Sequence, residues 1–548
     1  MPAHAVGVRL EPGVLRAEAV FLAPRGARIR TAADATGGVV LRLPPWAGLD
    51  FSAGVDSVAV LAPDGSWEAG SRSQDGSWMV PPRFTRGRLA VRWMVRSAKS
   101  DFVGRGRADV FRPTLLDDHA LAWGHTWVLR PDGVGNDPVI VSLGSGAWSE
   151  PPRLVGAESG VVGRFRALPR LVLLAGAWDT ATVRAAGQPL HFILRPGARA
   201  FTHEAFMGAV AGVAESQAGA MAGLLPVSPT FILEDGSASV HGGTVEGTVM
   251  VLYPDPDRGL AEGGAVTLRL VAHELFHFWN GTHARPDTTV AEGWYKWFQE
   301  GMTEYVARRT LLREGFVDAP VFIAELNQAL LEYTSNPVAH TATAAVLAEH
   351  YWDAEEYRQL PYVKGFLLGF LTDLRIREAT DGQAGIDAWL RRALRPDEAR
   401  GPLYDDAMLL RALEEVTGRD ERAWYDAYAR GAEPLPFESM CATLRLDCTS
   451  TEGTVFDLGF TAAPDIIEDA VVSAVRPGSP AEAAGLEVGD RLTGGTSFFP
   501  GDPTQDAIVE VYRGGTVVPL TWRPARTARI LRLEDTARTR AVVETITR

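Results

Sequence analysis

Cysteine is almost missing from this chain: Cys441 and Cys448 are the only two in 548 residues. Two thiolates exclude a four-cysteine metal site. They fit either two separate thiols or one short-loop disulfide. Long apolar runs are missing too. No stretch approaches the roughly 18 apolar residues of a spanning helix, so no membrane-spanning segment is expected. The opening MPAHAVGVRLEPGVL places Arg9 and Glu11 where a secretory leader needs an apolar core. The compartment stays open between an exported mature chain and a cytoplasmic one. An excess of positive charge is lacking as well: 54 Lys and Arg face 68 Asp and Glu, a net −14. Such a surface repels phosphate backbones, and no nucleic-acid partner is expected. Tandem repeats and low-complexity tracts do not occur.

What is present is ordinary globular composition, 46% apolar and 22% charged, in a chain too long for one core. Its texture divides it. Residues 1–196 read as short strands such as SVAVLAPDGSW and RLAVRWMVRS, bounded by Pro-Asp-Gly and Pro-Gly turns, which predicts a β-sandwich. Residues 197–440 turn helical, opening on an alanine-rich stretch capped by Thr202 and continuing through VTLRLVAHELFHFWN and PYVKGFLLGFLTDLRIREAT. Residues 449–525 return to strands around one short helix, and 526–548 form a charged, loosely docked tail. The expected architecture is therefore multidomain, with a mixed, mostly helical middle between two β-rich ends.

The sharpest chemical signal is His273-Glu274-Leu275-Phe276-His277. Residues four apart share a helix face, so both imidazoles reach one ion, and the glutamate between them lies where it can take a proton from an attacking water. The flanking Leu270, Val271, Phe278 and Trp279 make this an interior helix, where two histidines and a glutamate need polar partners. Zinc accepts such ligands and needs a third, leaving one position open. Glu300, in an aromatic setting with Trp297 and Phe298, is the candidate, and Glu304 one turn on competes with it.

These segments resemble the glycyl aminopeptidase family of gluzincin zinc metallopeptidases. HELFHFWN with the trailing Arg285-Pro286 is similar to that family's zinc helix, and WFQEGMTEYV to the segment bearing the third ligand, which falls on Glu300. The resemblance implies a thermolysin-like catalytic domain, one zinc ion per chain and a peptide substrate. It makes Tyr362, in a tyrosine-x-Lys-Gly helix start, the donor to the developing oxyanion. It places an amine-binding carboxylate at Glu246, after Gly242 and Gly243, although Gly247 stands where the family has histidine. The activity implied is removal of N-terminal residues, small ones such as glycine or alanine; a zinc endopeptidase, or a non-catalytic PDZ-bearing binding protein, is the alternative. The C-terminal GSPAEAAGLEVGDRLTG is similar to a PDZ domain. Phe456-Asp457-Leu458-Gly459-Phe460 then resembles its carboxylate-binding loop, receiving a peptide C-terminus or only packing within the chain.

Overall fold

The computed structural model describes residues 4–548 except 23–37, 45–50, 84–87, 97–110, 133, 135–137, 145–147, 149, 157–161, 224, 237–241, 464–469 and 500. The chain forms two compact units. One comprises Met1–Arg184, Gln188–Met207 and Val227–Leu260; the other comprises Ala185–Gly187, Gly208–Pro226 and Ala261–Arg548.

The first unit is built of sheets. Strand His4–Glu11 alternates buried and outward residues, and it turns into Val14–Leu22 through Pro12 and Gly13. Gly13, at φ +77°, takes the left-handed position that a turn led by proline offers to glycine. These strands sit inside a seven-stranded sheet whose inward residues, among them Leu10, Leu15, Phe21, Val60 and Val91, are fully buried. Two four-stranded sheets and a five-stranded sheet complete the described strands before Leu260. The sequence texture changes at Pro196, yet the compact unit continues to Leu260. Gln188–Leu194, Thr230–Leu233 and Val249–Tyr253 pair in parallel, and that ladder ties the later strands to the earlier ones.

The second unit holds the long helices. Helix α1 (His203–Ala220), whose first residues through Met207 belong to the first unit, starts under the predicted cap, with Thr202 Oγ1 accepting from Ala205 N at 3.1 Å. Then follow α2 (Glu262–Phe276), α3 (Met302–Arg313), α4 (Ala319–Ser335), α5 (Ala344–His350) and α6 (Glu355–Ala379). Asp318 caps α4, with Pro320 in its first turn. Helix α6 does not begin at Tyr362, as expected, but earlier at Glu355, leaving Pro361 inside it. Side-chain bonds from Arg358 and Gln359 to Glu355 brace that first turn. No helix among the described residues is long and apolar enough to cross a membrane.

The C-terminal part is strand-rich. Five strands between Phe460 and Trp522 enclose Leu458, Phe460, Val472, Val509, Val511 and Trp522. Cys441 and Cys448 are joined in a disulfide just before them. The segment expected to be a loose tail is docked. Ala525–Leu533 pairs along its length with Cys448–Phe456, and Asn327 of α4 bonds both the N–H and the carbonyl of Leu533. A last helix, Ala537–Thr545, buries Val543 and Ile546 completely. Most of its charges face outward, while Leu533, Val543 and Ile546 are buried and Arg309 and Arg313 bond the carbonyls of Ile546 and Thr547.

Candidate metal centre

Helix α2 carries His273 in its last turn and is capped at its C-terminal end by His277, four residues on, both under 9% exposed. Their Nε2 atoms lie 3.1 Å apart. Each ring is held from its other nitrogen. His277 Nδ1 donates to the Asn280 carbonyl at 3.0 Å, and this bond leaves the Nε2 lone pair free to act as a ligand. His273 Nδ1 has Glu304 Oε1 at 2.9 Å, without hydrogen-bond alignment. Asn280 is wholly buried and ties the two ligand segments together. Its Nδ2 donates to Phe298 O at 2.9 Å, and its Oδ1 accepts from Tyr404 at 3.0 Å.

Glu300 lies in a wide π-helical turn, Trp297–Gly301, that runs straight into α3. Its Oε2 is 3.4 Å from His273 Nε2 and 3.3 Å from His277 Nε2. Three ligands around a tetrahedral zinc at its usual bond lengths stand about 3.4 Å apart, so this triangle fits the ion. Burial alone would push the Glu300 carboxyl up. The Lys296 ammonium, and after it the histidines, hold it well below the usual range and keep it a carboxylate.

Glu292, Lys296, Glu300, Glu304 and Arg308 recur every fourth residue through one helical run. A spacing of four drifts by about 40° per step around an α-helix. The wide turn at Trp297–Gly301 absorbs part of that drift and keeps the row on one side. Lys296 Nζ bonds Glu292 at 3.0 Å and Glu300 Oε1 at 3.1 Å, and Arg308 bonds Glu304. Between Glu300 and Glu304 the row has no cation of its own, and His273 stands there.

Glu274 is 9% exposed, and among the described residues no hydrogen bond or ion pair engages it. The Tyr362 ring stacks on that of His273, with centroids 6.2 Å apart and planes 14° from parallel. Its hydroxyl is hydrogen-bonded to Tyr351. Helix α6 reaches this position because Gly301 and Gly365 meet backbone to backbone. A Cβ on either glycine would collide with the other's helix. The glycine of Tyr-x-Lys-Gly therefore serves a helix crossing.

Glu246, Gly242 and Gly243 lie in the other unit, on the edge strand Gly242–Glu246 of the five-stranded sheet. Glu246 ends that strand and pairs with Arg170 Nε at 3.4 Å. The unexpected Gly247 has φ +64° in a two-residue hairpin loop, since Glu246 already opposes Val249. A histidine there would be strained, which is the physical reason for the glycine. Asn280, Lys296, Tyr351 and Arg308 were not singled out from sequence. The fourfold charge spacing around Glu300 was a signal for two of them; Tyr351 had none.

Residues 266–365 match the model of the M61 glycyl aminopeptidase, and residues 471–494 match that of a PDZ domain. The class is thus that of the peptidases. Within it, the chain carries an M61 glycyl aminopeptidase domain followed by a PDZ domain. The first match contains His273, Glu274, His277, Glu300 and Tyr362 and leaves Glu246 outside. Among solved structures, an aminopeptidase N family protein from Idiomarina loihiensis shares the fold. It is 16% identical with a TM-score of 0.65, covering 98% of this chain and 100% of its own. No curated protein matches the sequence.

Proposed function

We propose that this peptidase is a zinc-dependent aminopeptidase that releases N-terminal residues, small ones such as glycine or alanine, from peptides. One zinc per chain would be held by His273, His277 and Glu300. The observation that carries the reading is the triangle of two lone-pair nitrogens and one carboxylate oxygen, 3.1–3.4 Å on a side. The bound ion would supply Lewis acidity toward the scissile carbonyl and toward water. Glu274, whose side chain has no partner among the described residues, would take the proton of the attacking water and deliver it to the leaving amine. Tyr362 donates to the carbonyl oxygen as negative charge gathers there. Glu304 and Asn280 fix the two rings. In the same reading 1–196 is a β-sandwich, 197–440 a thermolysin-like catalytic domain, 449–525 the PDZ-like domain and 526–548 the closing charged segment.

Glu246 would anchor the substrate's α-ammonium group, with Gly242 and Gly243 letting a peptide approach the strand. Its contact with Arg170 competes with that task and favours a second reading, a zinc endopeptidase on the same scaffold. Free and N-acetylated forms of one small-residue substrate separate the two. The aminopeptidase reading requires strong preference for the free amine, most of it lost in Glu246→Ala. Equal cleavage of both forms by the parent leaves the endopeptidase.

For the PDZ domain, intramolecular packing is the better supported role. Its own Asp457 accepts from Gly459 N at 3.0 Å inside the loop that would receive a peptide C-terminus, and it pairs with Arg476 and Arg526.

A further inference from the structure

We propose that Lys296 is a positioning residue that decides which oxygen of Glu300 faces the metal. The inference rests on Glu300 being the third ligand. Lys296 is 8% exposed and lies against Tyr351, which is buried as well. Its Nζ stands 5.5 Å over the Tyr351 ring and binds Glu300 Oε1 at 3.1 Å, and Glu292 Oε1 completes its shell at 3.0 Å. Glu300 Oε2 alone is turned to the two histidine nitrogens. The two oxygens of one carboxylate are thus divided between two cations. A carboxylate free on both sides would swing to offer both oxygens to a metal. One clamped at Oε1 offers a single oxygen and keeps the remaining coordination position for water or substrate. Tyr351 joins this clamp to the oxyanion side, because the ring under the ammonium carries the hydroxyl bonded to Tyr362.

The test is zinc affinity, measured on the full chain by competition with a chelator, and the absorption of the cobalt-substituted protein. Partners that orient metal ligands are worth about 10–100-fold in affinity. Lys296→Met is expected to weaken zinc binding within that range and to lower the intensity of the cobalt bands as the carboxylate becomes bidentate. Lys296→Arg is expected to stay near the parent in both. Far-UV circular dichroism and thermal melting of each metal-free variant exclude misfolding as the cause, and Lys296→Gln replaces any variant that melts early. Parent-like zinc affinity and cobalt spectrum in Lys296→Met would overturn the proposal. Retention of zinc by Glu300→Ala would instead overturn the ligand assignment beneath it.

Discussion

Two buried clusters of charge, one in each unit, are built from the same residue types and end differently. In the sheet-rich unit, Glu234 and His119 are both under 2% exposed. Glu234 Oε2 meets His119 Nε2 at 2.9 Å, and its Oε1 meets Arg195 at 3.3 Å and the Asp235 amide at 2.9 Å. His119 Nδ1 is taken by Asp118 at 2.7 Å, and Asp235 by Arg195 and Arg199. Each carboxylate there has its cation within the protein. In the helical unit the row from Glu292 to Arg308 is paired at both ends and open in the middle, where two imidazole Nε2 atoms and Glu300 Oε2 converge while Lys296 holds only Glu300 Oε1. Desolvating charge is costly unless it is compensated, and on the proposed reading a bound cation would add to what Lys296 supplies in the second cluster. We read the closed cluster as serving the fold and the open one as the candidate site.

The comparison breaks first at Glu300. Glu300→Ala is expected to lose the metal and with it all turnover, read by metal analysis of the purified protein; zinc at full occupancy would move the third ligand, with Glu304 next in line. Glu274→Gln should keep the metal and lower kcat by roughly 10²–10⁴, the scale of a lost general base. For Tyr362→Phe a fall in kcat of roughly 10²–10³ with little change in KM is expected. A near-normal kcat would reduce Tyr362 to packing on His273. The closed cluster should answer in a different currency. Glu234→Ala leaves His119 and Arg195 facing an emptied partner and should cost about 3–5 kcal/mol of stability in denaturant unfolding. Metal content in that variant should stay at the parent level, and a loss of zinc there would erase the distinction between the two clusters.

Much of the open cluster was legible. A four-residue spacing of histidines in an apolar helix is a local property, and Glu300 stood out by its aromatic neighbours. The second carboxylate was read only as a rival for the metal. Glu304 in fact reaches His273 from the far nitrogen, a difference of which ring edge it faces that spacing cannot express. The helix start expected at Tyr362 falls inside α6, because proline before it is a local signal for an entry whereas the helix runs on from Glu355.

The sequence alone determined the elements whose cause is local. These are the alternation of the first strands, the Thr202 and Asp318 caps, the proline-glycine turns, and the two histidines with a glutamate between them on one helix face. Tertiary structure decided what depends on partners distant in the chain. It brought Glu300 Oε2 to His273 and His277, paired Glu246 with Arg170, and docked the charged C-terminal segment on α4. The reason is the range of the forces. Backbone geometry and side-chain period act within a few residues, whereas the orientation of a carboxylate is set by whichever charge the fold brings within about 4 Å of it.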